Sequence, residues 1–129
     1  MTCFWDGIMK GLSSDDFKNI GETKTDIKGL IRILKNRNKK TRDIIWNGKK
    51  IPEKELTENY MAVKDYNING IQNGHLCSTG DYMLLLICDL FNVNIDHKFL
   101  QKTMKYEKTT NTNKIWVQSN KGHFWFVKK

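Results

Sequence analysis

The sequence predicts an α+β fold in one domain over residues 1–129, with N-terminal helices packed on a C-terminal antiparallel sheet. Up to residue 91 the apolar residues recur at helical spacing, and beyond it they fall into short strand-like runs. No internal repeat or low-complexity linker divides the chain, whose 129 residues suffice for one modest core.

Phe4, Ile8 and Leu12, with Trp5 and Met9 on the adjoining stripe, predict a short helix over residues 3–12 with Cys3 at its N-terminus. Ser13-Ser14-Asp15-Asp16 stops it and caps a second. Thr25-Asp26 is another N-cap, ahead of Ile27, Leu30, Ile31 and Leu34 at helical spacing. The basic run KNRNKKTR, residues 35–42, suits that helix's C-terminus. Pro52 and the acids after it open a further helix over EKELTENYMAVKDY, and residues 67–80 are an Asn/Gly-rich loop. Residues 81–91 form an almost wholly apolar helix, expected at the centre of the core. Strands follow over residues 93–99, 102–108, 114–119 and 123–128, the last two joined by a tight turn at Asn120-Lys121-Gly122.

Composition narrows the function. Cys3, Cys77 and Cys88 are odd in number and lack metal-ligand spacing, so neither a disulfide framework nor a metal or other cofactor is expected. Free thiols fit a reducing, cytoplasmic compartment. No apolar run reaches the roughly 18 residues of a membrane span, and no charged leader precedes an apolar block, so neither membrane association nor secretion is expected. The net charge of +8 assists contact with anionic surfaces, but no nucleic-acid module accompanies it, and KNRNKKTR reads first as a solvated helix end.

The chemistry-bearing residues are a cysteine and three histidines. A thiol at a helix N-terminus feels positive potential that favours the thiolate, and a thiolate hydrolase also needs a base to carry its proton. His97 lies within a strand and reads as structural, either sharing the face of Ile95 and Phe99 or partly exposed. His75, in the loop NGHLCSTG, sits where it would rim a cleft. His123 opens the terminal strand between Gly122 and Phe-Trp-Phe, where its ring projects over a cleft while the aromatics anchor it. Cys88, within MLLLICDLF, is a core residue, and Cys77 an inert neighbour of a cap.

Cysteine at a helix start, a helical half, then a sheet ending in Gly-His-aromatic is the order of papain-like cysteine proteases. In CFWDGI, STGDYMLLLICDLFNVNI and KIWVQSNKGHFWFV the chain resembles their ovarian-tumour (OTU) type and its small viral relatives, in order over most of its length. The resemblance implies a papain-like, OTU-like fold and a thiol isopeptidase acting on ubiquitin or ubiquitin-like conjugates, or on a viral polyprotein in the host cytoplasm. Cys3 is then the nucleophile and His123 the base.

Two features depart from the family pattern. Trp125 fills the position, two after the histidine, where an acid or amide usually orients the ring. A two-residue turn at Lys121-Gly122 pairs Asn120 with His123 and Gln118 with Trp125, placing all four side chains on one face, so Asn120 or Gln118 is the expected orienter, with Asp6 as runner-up and a dyad as the simpler case. Only Met1 and Thr2 precede Cys3, where relatives carry an oxyanion donor; either the domain is cut from a longer chain or another loop supplies it, through Gln72 or Asn73. Trp5 and Trp125 wall a channel for Gly-Gly, or pack in the core. Asp15-Asp16 and Glu53, Glu55 and Glu58 are candidate contacts for a basic substrate tail. The rival class is a binding module: an OTU-like scaffold without catalysis, or a small basic protein holding RNA through KNRNKKTR and Trp46.

Overall fold

The structure, a computed structural model, describes residues 3–70 and 81–129. Among the described residues five α-helices and a six-stranded sheet make a mixed α and β architecture. The helices are α1 (Cys3–Gly11), α2 (Ser14–Lys18), α3 (Ile27–Asn36), α4 (Glu53–Lys64) and α5 (Asp81–Phe91), and the strands β1 (Ile45–Trp46), β2 (Lys49–Lys50), β3 (Val93–Phe99), β4 (Lys102–Glu107), β5 (Asn113–Ser119) and β6 (Phe124–Lys128).

The helix boundaries follow local chemistry. Ser13 and Asp16 form a reciprocal capping box at α2, and the Asp26 carboxylate accepts the Gly29 N–H at the start of α3. Lys35 at the end of α3 donates its ammonium to the carbonyls of Lys64 and Tyr66, at 2.7 and 2.6 Å, so it caps the C-terminus of α4. Asn92 has a φ of 56° and turns the chain from α5 into β3.

The sheet order is β2-β1-β4-β3-β5-β6. It departs from the expected antiparallel sheet in one pairing: β3 and β5 run parallel, with Val93 opposite Asn113 and Phe99 opposite Ser119. After the β3–β4 hairpin the chain crosses the end of β3 in residues 108–112 and starts β5 on its other side. Asn94 fixes that crossing, its side-chain oxygen accepting the Lys108 N–H at 2.9 Å and the Asn111 amide at 3.0 Å. The β1–β2 hairpin is additional to the expected strands. Asn47-Gly48, with φ of 52° and 79°, supplies the left-handed pair that a type I′ turn requires.

The core lies between the helices and one face of the sheet. Val93, Ile95, His97, Tyr106, Ile115, Val117, Ser119 and Phe124 are buried on that face, against Phe4, Trp5 and Ile8 of α1 and residues 83–88 of α5. The opposite face, from Asn94 to Lys98 on β3 and Lys114 to Gln118 on β5, has no fully buried side chain. The basic run is solvated, as expected, with Arg37, Lys39 and Arg42 exposed, and its cations also make ion pairs. Arg37 pairs with Glu22, Lys39 with the buried Asp89, and Lys40 and Arg42 with Glu53. No described helix is long and apolar enough to cross a membrane.

Candidate active site

Two glycines set the position of α1. A Cβ on Gly7 would meet the Phe124 ring at 2.8 Å, and one on Gly11 would meet Ile115 Cγ2 at 2.9 Å and the Phe126 ring at 3.3 Å. Their spacing of four places both on one face of the helix, which lets the α1 backbone lie directly on β5 and β6. The contacts also fix direction. Phe4 meets Phe124, Gly7 meets Phe124 and the Phe126 N–H, Gly11 meets Phe126, and Lys129 pairs with Asp16 just beyond the helix. Thus α1 and β6 run the same way, and Cys3 and His123 stand at the same edge of the domain.

Cys3 is a half-buried free thiol at the first residue of α1. His123 is exposed on the β5–β6 hairpin. Its carbonyl accepts the Asn120 N–H at 2.9 Å, and Gln118 stands opposite Trp125, the register expected from the sequence. Among the described residues no hydrogen bond joins the Cys3 sulfur to the His123 ring, and the ring has no side-chain partner.

Several expected roles change. The Asn120 side-chain oxygen accepts the backbone N–H groups of Gly122 at 2.9 Å and His123 at 2.8 Å, so both its lone pairs serve the turn and not the imidazole. It positions the His123 backbone instead. Gln118 belongs to the open sheet face, on the side away from α1. Trp5 is 1% exposed and donates its indole N–H to the Tyr66 hydroxyl at 3.0 Å, a core residue and not a channel wall. Trp125 is 40% exposed beside Gln118 on the open face, so the sheet separates the two tryptophans. Asp6 is exposed on the first turn of α1. His75, Cys77, Gln72 and Asn73 lie outside the described residues.

His97 takes the inward alternative. It is 2% exposed, its Nε2 lies 2.6 Å from Ser119 Oγ, and its ring packs 5.4 Å from that of Phe124. Cys88 is buried, and burial pushes its thiol up to about 12, which leaves it protonated and unreactive. No group of three metal-ligating side chains occurs among the described residues. The sequence reading missed the role of Gly7 and Gly11, although two glycines four apart on an otherwise apolar helix are the visible signal of a close approach.

Comparison with protein-family models, with curated proteins and with solved structures finds no match to this chain.

Proposed function

We propose that the protein is a thiol isopeptidase of the OTU-like, papain-related type, removing ubiquitin or a ubiquitin-like modifier, with viral polyprotein cleavage as the same chemistry on another substrate. The observation that carries this reading is the common direction of α1 and β6, which sets the helix-terminal thiol and the hairpin histidine at one edge. In the mechanism His123 takes the Cys3 proton, and the thiolate attacks the carbonyl carbon of the modifier's terminal glycine. The tetrahedral intermediate collapses to a thioester as the lysine amine leaves with the proton from His123. Water, deprotonated by His123, then cleaves the thioester and restores the thiol.

The test is hydrolysis of ubiquitin carrying a fluorophore on its C-terminal carboxyl. Release by the wild type, lost in Cys3→Ala and His123→Ala while the fold is retained, is the expected result. Equal rates in the wild type and Cys3→Ala overturn the assignment. A non-catalytic scaffold binding the same conjugates is the second reading, favoured by the solvent-facing His123 ring. Ubiquitin binding without turnover distinguishes it.

A further inference from the structure

We propose that the open face of the sheet, the side away from the helices, binds single-stranded nucleic acid. Strand register places Lys105, Asp96, Trp116 and Lys128 in one row across β4, β3, β5 and β6, and Thr103, Lys98, Gln118 and Trp125 in the next. Lys114 stands opposite Asn94 in a third row, and Glu107 follows Tyr106, the partner of Ile95, on β4. The four strands therefore present four lysines against two carboxylates. One of these, Asp96, is already neutralised by Lys114 at 3.0 Å.

Two tryptophans stand among those lysines. The Lys114 and Lys128 ammonium groups lie 5.4 and 4.8 Å from the centroid of the Trp116 ring, and Trp125 is 40% exposed in the adjoining row. A shallow groove of about 320 Å³ runs between Asp96, Lys98, Thr103, Trp116, Gln118 and Lys128. One exposed and one half-buried indole beside ammonium groups on an open sheet suit a single strand: bases stack on rings regardless of sequence, and phosphates meet the lysines. The charge argues for this occupant over a second copy, since two such faces would oppose lysine to lysine. The cations of the 35–42 run, by contrast, stand beside Glu22, Asp89, Glu53 and the end of α4, with no exposed tryptophan among them.

The test is fluorescence anisotropy of a labelled, mixed-sequence RNA of about 12 nucleotides titrated with the full chain at several salt concentrations. Binding is expected, with a slope of log affinity against log salt of about −2 for contacts from the three lysines not paired with Asp96. Trp125→Ala is expected to weaken binding about tenfold or more with the slope unchanged, and Trp125→Phe to retain most of the affinity. Lys98→Ala and Lys128→Ala are expected each to lower the slope by about 0.7. Circular dichroism confirms that each variant is folded. No binding at low salt overturns the proposal, as does binding insensitive to Trp125→Ala, or binding abolished only by substitutions at Lys39 and Lys40. Sedimentation showing a dimer broken by Trp125→Ala also overturns it, by giving the face to a second copy.

Discussion

The ring of Phe4 packs against the ring of Phe124, 4.8 Å between centroids and tilted by 49°. Each phenylalanine directly follows a candidate catalytic residue, Cys3 in one case and His123 in the other. The core contact therefore couples helix to hairpin at the edge where the chemistry is proposed. His97 supports Phe124 from below, its ring at 5.4 Å, and Trp5 supports Phe4 edge-on at 4.9 Å.

Gly7→Ala tests that coupling. Alanine favours a helix over glycine by about 1 kcal/mol, which opposes the expected loss. The new methyl meets a Phe124 ring that Phe4 and His97 already hold, however, and overpacking costs about 1–3 kcal/mol. A net loss of stability is expected in urea denaturation, as a lower midpoint at unchanged slope. Activity should fall as well, because relieving the clash moves α1 relative to β6. An unchanged midpoint shows that the helix and strand are not locked together.

Asn120 and Gln118 separate two ways of orienting the histidine. Asn120→Ala leaves two backbone N–H groups of the turn without their acceptor, a loss of about 1 kcal/mol for each bond. The hydrolysis rate should fall about tenfold, since small misplacements of a reacting group carry such penalties. Asn120→Asp keeps the accepting oxygen and should retain most of the rate. Gln118→Ala, on the open face, should leave the rate within about twofold. A large loss in Gln118→Ala with none in Asn120→Ala reverses the assignment.

Cys88 predicts an alkaline limit to stability. Its thiol is raised from an ordinary 9.0 to about 12, chiefly by burial, with repulsion from Asp89 adding to it. Between these values the unfolded chain has released the proton and the folded chain has not. The thiol's contribution is therefore complete below about pH 9 and is lost as pH rises toward 12. Cys88→Ala should lower stability at neutral pH through the cavity it leaves, yet flatten the alkaline decline by up to about 1.4 kcal/mol per pH unit. Parallel curves for the two proteins contradict the shift.

Helix boundaries were legible because their signals are local. Ser13 with Asp16, Asp26 with Gly29, and Pro52 with its acids each specify an end from a few adjacent residues. The positions of β3 to β6 were legible from alternation, and the Asn120–His123 register from a two-residue turn, whereas the two-residue strands β1 and β2 are too short to show a period. The parallel partner of β3 was not, because it depends on a crossing beyond β4 that no neighbouring residue encodes. Nor was the side of the sheet that each tryptophan takes: Trp5 and Trp125 look alike in aromatic-rich segments, and only packing buries one and exposes the other. Nor were the ion pairs of the densest basic run, since its partners Glu22, Asp89 and Glu53 are remote in sequence. Within the candidate site, the positions of Cys3 at the start of α1 and of His123 just before β6 were legible from their flanks, while the use of the Asn120 side chain by the turn required its hydrogen bonds.

The claim that Cys3 and His123 form one reactive centre is tested most directly by ubiquitin bearing an electrophile at its C-terminus, followed by intact-mass and peptide-level mass spectrometry. The account predicts a single adduct per chain, mapped to Cys3, absent in Cys3→Ala and formed far more slowly in His123→Ala. No adduct in the wild type, or an adduct that persists in Cys3→Ala, would contradict it.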